Sequence, residues 1–331
     1  MSAEEEEDPF ALFGGDDDGD DAASSSGNGS ALRPKENGLL SFHPGTEESL
    51  LIYVAQSLSK VPSPPPPDVD LCSLVLSSVD SYCHSRHWMM HIGDEKASIL
   101  SKALSSFASS FESDPNVPPR PFAVLEVGTY CGYSALVMSR ALQVVLSASA
   151  SSSSSSSELH FSPPPFDYRI VTLEADVRNA SVARRLIALA GPPHSSRISV
   201  LPVSSVSDGV LQILSVGDSS KLPQLYDALF LDHYKCSYYP DVKLLASRQA
   251  CMLSDRALVV ADNVVFGQCD DYLRFVRSGG IEEGYEGAGL FTRTELVQCD
   301  VEYSGPEKDE LGEDNVKDGV EISHWKKNEE V

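Results

Sequence analysis

The stretch Phe122–Leu142, FAVLEVGTYCGYSALVMSRAL, decides the fold. It opens with an apolar run that ends at Glu126, and because polar residues do not alternate within it, the run predicts a strand buried on both faces. Gly128 and Gly132 then allow a tight turn, and apolar residues recur at helical spacing from Tyr133 onward. A strand, a glycine turn and a helix form the first unit of a nucleotide-binding α/β sheet.

The spacing of the glycines narrows the class of ligand. The pattern is Glu-x-Gly-x-x-x-Gly, whereas a dinucleotide binder has Gly-x-Gly-x-x-Gly, so an NAD-dependent dehydrogenase is disfavoured. No Lys-Ser/Thr pair follows, which excludes a phosphate-binding P-loop. An acid at the strand end beside a wide turn favours a cationic ligand that carries adenosine, such as S-adenosylmethionine. A strand-to-helix turn without any ligand is the alternative interpretation.

Net charge and cysteine content limit the classes of protein to which the chain can belong. The chain has 331 residues and a formal net charge of −24, which argues against nucleic acid and anionic membranes as partners. Seven cysteines without a Cys-x-x-Cys pair indicate reduced thiols in a cytoplasmic protein. No apolar run reaches membrane-spanning length, and the acidic start does not resemble a signal peptide.

Composition also divides the chain into segments. Residues 1–45 are acidic with very few apolar side chains, so they predict a disordered tail. Residues 46–326 predict one α/β domain, which contains a Ser/Pro-rich insertion at 147–165 and a polar hairpin insertion at 304–316. Residues 327–331 are a charged C-terminal tail. The insertions are expected to lie on the surface.

Strand and helix patterns alternate through the domain, which predicts right-handed βαβ units and a mostly parallel sheet flanked by helices. After the first strand, four more buried strands are predicted at Tyr168–Glu174, Arg197–Pro202, Tyr226–Asp232 and Arg256–Asp262. A helix over Pro240–Leu253 is predicted between the last two. Leu296–Tyr303 and Val316–Trp325 predict an antiparallel pair at the sheet edge.

Oxygen-bearing side chains follow the fourth and fifth strands. Asp232 ends YDALFLD, and Asp262 and Asn263 end RALVVADN one βαβ repeat later. Because neighbouring parallel strands end at the same edge of a sheet, the three side chains are expected to meet there. Two carboxylates and an amide favour a hard cation, Mg²⁺ before Ca²⁺ or Mn²⁺. Acids that merely cap the following loops are the alternative.

Lys235 follows Asp232 by three residues and is a candidate general base. A lysine has an ordinary pKa of about 10.4 and is a poor base at neutral pH. A nearby Mg²⁺ would disfavour the ammonium form and lower that pKa. Most lysines beside acids are only ion-pair partners, so the general-base interpretation depends on the metal.

Several motifs, taken together, resemble the catechol O-methyltransferase family. In chain order they are Tyr82-Cys83, Trp88-x-Met90-x-Ile92-Gly93-Asp94-x-Lys96, LEVGTYCGYS, LFLDHYK, VVADNV, Val301-Glu302-Tyr303 and Asp318-Gly319-Val320-Glu321. The resemblance covers Gly45 to Trp325 apart from the insertions. It implies a Rossmann-like class I methyltransferase that moves a methyl group from S-adenosylmethionine to one hydroxyl of a catechol and requires Mg²⁺.

The resemblance also implies roles for the matched residues. The cofactor would be bound by Ile92, Glu126, Gly128, Tyr130, Ser134, Glu174, Ser205, Asp232 and His233, with Glu174 on the ribose. Mg²⁺ would be bound by Asp232, Asp262 and Asn263. Lys235 would be the base, with Asp232 and Glu302 as further catalytic groups, and Glu302 would accept a hydrogen bond from the second hydroxyl. The substrate would contact Trp88, Met90, Tyr234, Lys235, Asn263, Gly267 and Glu302.

The chain departs from the family pattern around the acceptor. Tyr234 stands where the family usually has tryptophan, Val206 where it has an adenine-contacting glutamine, and Gly267 or Phe266 where it has a gating proline. These changes bear on substrate preference, so a bulkier vicinal diphenol, such as a caffeoyl ester or a flavonoid, is an alternative acceptor. A methyltransferase-fold scaffold without activity is a further alternative. The expected partner is a small catechol-type molecule, and the chain is expected to be a monomer or weak dimer.

Overall fold

The computed structural model describes residues 45–114, 120–153, 166–216, 222–303 and 317–328. Most of the acidic N-terminal tail, the predicted hairpin insertion at 304–316 and residues 329–331 lie outside the described residues. The predicted Ser/Pro-rich insertion is described only at its start. There the preceding helix continues to Ser153, so residues 147–153 are helical.

Within the described ranges, seven strands form one sheet in the order β3-β2-β1-β4-β5-β7-β6. The strands are β1 Phe122–Val127, β2 Tyr168–Glu174, β3 Ile198–Pro202, β4 Tyr226–Leu231, β5 Leu253–Ala261, β6 Gly289–Asp300 and β7 Lys317–Lys327. Strands β1 to β5 are parallel, whereas β7 is antiparallel to both β5 and β6. The predicted class I methyltransferase sheet, mostly parallel with an antiparallel C-terminal pair, is confirmed.

Helices cover both faces of the sheet. They are α1 Thr46–Leu58, α2 Leu71–Ser85, α3 Gly93–Glu112, α4 Tyr133–Ser153, α5 Val177–Leu189, α6 Pro192–Ser195, α7 Val206–Val216, α8 Tyr238–Leu245 and α9 Asp270–Arg277. One buried apolar cluster joins α1 to α5 to one face, and a second joins α7 to α9 to the other. None of the described helices has an apolar stretch long enough to cross a membrane.

Two predicted boundaries after β4 are wrong. The helix predicted over Pro240–Leu253 ends at Leu245, because Leu253 pairs with Tyr226 and begins β5. The first strand of the C-terminal pair begins at Gly289 rather than Leu296. Its early part contains an unbroken polar run over residues 292–295 and a register shift after Phe291, and neither gives the alternation from which a strand is recognised in a sequence.

The order of the strands locates the functional edge of the sheet. The chain moves outward from β1 through β2 to β3 and then crosses back to add β4 on the other side of β1. A crevice therefore opens between the carboxyl ends of β1 and β4, where the order reverses. Ligands of open α/β sheets bind at such a point.

Candidate functional site

A cavity of about 810 Å³ opens at this edge of the sheet. Most of the residues predicted from the sequence line it: Trp88, Met90, Ile92, Gly128, Tyr130, Ser134, Glu174, Ser205, Asp232, His233, Tyr234, Lys235, Asn263, Gly267 and Glu302. Glu126 and Asp262 are not in its lining and are buried, with exposed fractions of 0% and 1%. The volume lies toward the upper end of the range for small-molecule sites.

The glycine turn after β1 packs directly against the segment that follows β4, and both segments line the cavity. Gly128 has a φ of +95°, and a Cβ added there would lie 2.2 Å from the carbonyl oxygen of Asp232. Only glycine therefore lets the turn approach the segment that follows β4. Two residues on, Tyr130 has a φ of +47°, and its hydroxyl donates a hydrogen bond to Glu47 of α1 at 3.0 Å. The turn is held from both sides.

Glu174 fixes the same turn from the end of β2. Its carboxylate accepts hydrogen bonds from the backbone N–H groups of Thr129 at 3.2 Å, Tyr130 at 2.7 Å and Asp176 at 2.8 Å. Burial raises the pKa of this carboxyl above its ordinary value, and the three N–H donors oppose that shift. A carboxylate has about four lone-pair sites, so Glu174 retains capacity to accept a hydroxyl from the cavity side.

Glu126 lies behind the turn rather than in the cavity wall. One of its oxygens accepts a hydrogen bond from the Ser134 hydroxyl at 2.5 Å, and the other has no hydrogen-bond partner within the described residues. Burial raises the pKa of Glu126 to about 8, so the group is mostly neutral at pH 7. Its contact with the cavity runs through Ser134, and it offers little negative charge to a cationic ligand.

His233 and Ser205 lie on the side of the cavity near α7. His233 Nε2 is 2.8 Å from a carboxylate oxygen of Asp241, while its Nδ1 has no partner among the described residues. The Ser205 hydroxyl accepts a hydrogen bond from the backbone N–H of Asp208 at 3.1 Å and so caps α7. Both residues are held by local contacts before any ligand binds.

The ends of β4 and β5 bring Asp232 and Asp262 side by side. Leu231 pairs with Ala261, and the backbone N–H of Asp262 donates to the Leu231 carbonyl at 3.0 Å. Burial, together with the nearby Asp232 carboxylate, raises the pKa of Asp262 to about 7, although Lys96 opposes the shift. The two acids therefore repel each other across a site that is short of positive charge.

Lys96 lies at the centre of a carboxylate cluster that the sequence did not reveal. Its Nζ is 2.5 Å from Glu302 Oε1, 2.5 Å from Asp318 Oδ2 and 3.1 Å from Asp262 Oδ1, and its side chain is 2% exposed. Burial lowers the pKa of Lys96, but the three carboxylates more than offset this and hold it above its ordinary value. Lys96 is therefore an ammonium.

Asn263 shares two of these acceptors. Its Nδ2 donates to Glu302 Oε1 at 2.7 Å and to Asp318 Oδ2 at 2.8 Å. Because the amide nitrogen faces the carboxylates, the amide oxygen is directed away from them. Asn263 also has a φ of +52°, a conformation that asparagine adopts more readily than most residues.

The donor set fits a divalent cation. Asp262 Oδ1 has no hydrogen-bond partner in the described part of the chain, since its 3.1 Å contact with Lys96 is an ion contact outside hydrogen-bond geometry. With the Asp232 carboxylate and the Asn263 amide oxygen it gives an all-oxygen set. Among the described residues, the charged side chains joined by ion pairs at this place are the carboxylates of Asp232, Asp262, Glu302 and Asp318 and the ammonium groups of Lys96 and Lys235. With all four carboxylates ionised their sum is two negative charges, which a divalent cation would balance, and such a cation would itself favour the ionised form of Asp262.

Lys235 is an ion-pair partner in this arrangement. Its Nζ lies 2.9 Å from Asp232 Oδ1 and donates to the Tyr238 hydroxyl at 2.8 Å. Burial lowers the pKa of Lys235, but Asp232 and Asp262 reverse this and raise it above its ordinary value. A Cβ at Gly267 would lie 2.7 Å from Lys235 Cγ, so the missing side chain at Gly267 gives this lysine its room.

The acceptor side of the cavity has an aromatic and apolar wall. Trp88 Nε1 donates to the backbone carbonyl of Glu302 at 3.0 Å, which holds the segment after β6 in place. Met90 and Tyr234 remain 38% and 45% exposed. Phe266 also lines the cavity, and its backbone N–H donates to Asp318 Oδ1 at 3.0 Å. A flat ring could lie between these groups.

Lys96 and Asp318 are the functional residues that sequence reasoning missed. Both lie within quoted motifs, where they were given no role. The available signal for Lys96 was its position on the apolar face of α3, in line with Leu100 and Leu104, since a charge on such a face is kept only when it is paired. Asp318 is buried on β7, and Lys96 lowers its pKa although burial alone would raise it.

Comparison with known proteins gives several relatives. Catechol O-methyltransferase of Sus scrofa is 30% identical over 191 residues, covering 58% of this chain and 80% of the relative. Catechol O-methyltransferase B of Danio rerio is 31% identical over 62% of this chain, which spans 61% of that protein's length. The enzyme of Mus musculus is 28% identical over 70% of this chain and 69% of its own length. No family model matches the chain.

Proposed function

The chain belongs to the catechol O-methyltransferase family, and we propose that it transfers a methyl group from S-adenosylmethionine to one hydroxyl of a catechol. The observation that carries the proposal is the meeting, in one cavity, of a glycine turn and an oxygen donor set with two uncompensated negative charges. The turn suits the methyl donor and the donor set suits Mg²⁺.

The methyl donor would occupy the half of the cavity near β1 and β2. Gly128 and Tyr130 would border its methionine end together with Ser134 and the backbone of Ile92. Glu174 would accept the ribose hydroxyls with the lone pairs that its backbone donors leave free. Ser205 and His233 would border the adenine, where His233 Nδ1 has no protein partner in the described residues.

The catechol would occupy the half near β4 and β5. Asp232, Asp262 and Asn263 would bind Mg²⁺. When bound, Mg²⁺ would polarise a hydroxyl oxygen of the acceptor and compete with Lys235 for Asp232, which lowers the pKa of the lysine. Trp88, Met90 and Tyr234 would enclose the ring, beside Gly267. Glu302 would accept a hydrogen bond from the second hydroxyl.

Lys235 and the positioning of the two substrates would provide the chemistry. Lys235 would remove the proton of one hydroxyl. The resulting oxyanion would form a bond to the methyl carbon as the bond from that carbon to sulfur breaks, giving the methyl ether and S-adenosylhomocysteine. Alignment of the oxygen, carbon and sulfur atoms by the fixed walls of the cavity contributes up to about 7–11 kcal/mol in well-oriented systems.

A bulkier vicinal diphenol is the second candidate acceptor. Tyr234 is 45% exposed and Gly267 contributes no side chain to the wall, so the acceptor half is open beside the ring position. A caffeoyl ester or a flavonoid carries the same pair of hydroxyls on a longer frame. The chemistry at the metal would be unchanged, and only the fit of the remainder of the molecule would differ.

A methyl-transfer assay tests the proposal. The full chain is incubated with S-adenosylmethionine and a panel of catechols, caffeoyl esters and flavonoids, with Mg²⁺ or with EDTA, and the products are identified by mass spectrometry. We expect singly methylated products from vicinal diphenols only, and none in EDTA. Cofactor binding by calorimetry without any methylated product would favour the inactive scaffold, and full activity in EDTA would contradict the metal role.

Glu174→Gln is expected to weaken S-adenosylmethionine binding about 10- to 100-fold, since a hydrogen bond to a charged group contributes about 1.5–3 kcal/mol. The glutamine keeps the shape but loses the charge and one acceptor oxygen that holds the turn. Isothermal titration calorimetry measures the effect, with the exposed Asp208→Asn as the control. Equal affinities in the Glu174→Gln variant and the wild type would exclude a ribose-binding role.

We further propose that the protein acts in the cytoplasm as a monomer or weak dimer. All seven cysteines are free, which suits a reducing compartment. A net charge of −24 opposes association between copies. Light scattering at low and high salt measures the mass, and a dimer that persists at both would contradict this expectation.

A further inference from the structure

The Lys96 side chain extends from the first turn of α3 into a cluster of three acids from distant parts of the chain. Asp262 follows β5, Glu302 follows β6 and Asp318 belongs to β7. One oxygen atom from each lies within 4.8 Å of the others, a spacing that suits a metal ion. The ammonium of Lys96 is already in contact with all three, at 2.5 to 3.1 Å.

We propose that Lys96 is a built-in cation that takes the place of a second divalent ion. With Lys96 present, the cluster of Asp262, Glu302 and Asp318 already holds one cation, and one divalent ion binds on the neighbouring set of Asp232, Asp262 and Asn263. Without Lys96, the three carboxylates would form a second oxygen site. This inference rests on the proposed function in one respect, because it takes the Asp232, Asp262 and Asn263 set as the first metal site.

The charges around the cluster support this assignment. Within the ranges that the structure describes, two lysines face four carboxylates, and with all four ionised the two uncompensated negative charges match a single divalent ion. Removing the Lys96 ammonium would leave three uncompensated charges in a region that is almost wholly buried. Buried carboxylates that lose a partner either take up protons or bind another cation. Hard divalent ions bind such oxygen sets, and pairs of ions in proteins lie about 3.5–4 Å apart.

The arrangement also explains how Glu302 and Asn263 are oriented. Glu302 Oε1 accepts from both Lys96 and the Asn263 amide, at 2.5 and 2.7 Å, which leaves Oε2 for a group in the cavity. The Asn263 amide nitrogen donates into the same cluster, which leaves its oxygen available to the proposed first metal site. A metal ion in place of Lys96 would leave both orientations dependent on metal concentration, whereas the Lys96 ammonium belongs to the chain and holds the acceptor carboxylates by hydrogen bonds at any metal concentration. Lys96 is thus a positioning residue.

Counting bound Mn²⁺ tests the proposal on the full chain. Wild type is expected to bind about one Mn²⁺ and Lys96→Met about two, measured by calorimetry and by electron paramagnetic resonance of free Mn²⁺. Two close ions would also broaden the resonance of the bound metal. The double variant Lys96→Met/Asp318→Asn removes one acid of the second site and should return to one ion. Lys102→Met is the matched control, because Lys102 is exposed on the same helix.

The outcomes separate this inference from the proposed function. If wild type binds no Mn²⁺, the proposed metal site itself is wrong. If wild type and a folded Lys96→Met variant each bind one ion, the role of Lys96 as a substitute cation is wrong. If the Lys96→Met variant does not fold, the single variant Asp318→Asn tests the proposal instead. With Lys96 retained, that variant should bind Mn²⁺ about 10- to 100-fold more weakly than wild type, and unchanged affinity would overturn the proposal.

Discussion

Replacing Lys235 by methionine is expected to lower kcat for catechol methylation by about 10²- to 10⁴-fold, with little change in the dissociation constant of S-adenosylmethionine. The side chain contacts the Asp232 carboxylate and the Tyr238 hydroxyl and, among the described residues, makes none of the hydrogen bonds by which Glu174 and Glu47 hold the glycine turn. Methionine fills a similar volume and cannot take up a proton. Single-turnover methyl transfer and calorimetric titration of the cofactor measure the two quantities separately.

Lys235→Arg distinguishes a proton acceptor from a counter-ion. Arginine restores the positive charge beside Asp232 but stays protonated at any accessible pH. If Lys235 only balances the charge of Asp232, the arginine variant should recover most of the activity that methionine loses. We expect it to be nearly as inactive as Lys235→Met, because a base is missing in both. An arginine variant with close to wild-type kcat would refute the base assignment, and Lys102→Met controls for loss of an exposed lysine.

The sequence predicted the parts of the site that follow from strand order. Asp232, Asp262 and Asn263 were placed together because the carboxyl ends of parallel neighbours meet at one edge, and the pairing of Leu231 with Ala261 has that register. The turn at Gly128 was likewise visible, since apolar runs followed by glycines define a strand-to-helix unit. These inferences need only local patterns and one rule of sheet topology.

The Lys96 cluster could not be predicted in the same way. Its contacts join residues separated by 166, 206 and 222 positions, across α3, the end of β5 and the C-terminal hairpin. No local sequence pattern predicts contacts between residues so far apart in the chain. Placing Lys96 requires knowing that β7 inserts between β5 and β6, so that Asp318 faces the end of β5. The sequence indicated only that the two C-terminal strands pair at an edge.

Burial also decided the environment of Glu126, which the sequence misjudged. A strand-end acid was expected to present a negative charge to the sulfonium. The strand is buried on both faces and Glu126 has an exposed fraction of 0%, so burial raises its pKa to about 8. Its charge at pH 7 therefore depends on what binds beside Ser134. The sequence pattern identifies Glu126 as a strand-end acid, but its burial in the folded protein determines whether the carboxyl is ionised.

Gly128→Ala is expected to lower the free energy of unfolding by about 2–6 kcal/mol and to abolish cofactor binding. Two costs combine at this position. Alanine disfavours the φ of +95°, and its Cβ would lie 2.2 Å from the Asp232 carbonyl oxygen and 2.6 Å from the carbonyl carbon. Both contacts are with backbone, so no side chain can rotate away. Relief requires that the turn and the segment after β4 separate, and both segments line the cavity.

Gly284→Ala isolates the first of these costs. Gly284 also has a positive φ, +78°, but an added Cβ would meet no atom of the described residues within 4 Å. The Gly284→Ala variant should therefore lose only the conformational part of the free energy of unfolding, about 1–3 kcal/mol, and it should bind S-adenosylmethionine as the wild type does. Urea unfolding followed by circular dichroism gives the free energies, and calorimetry gives the affinities. Equal losses in the two variants would mean that the close approach of the turn to Asp232 contributes nothing, because backbone strain alone would then account for both.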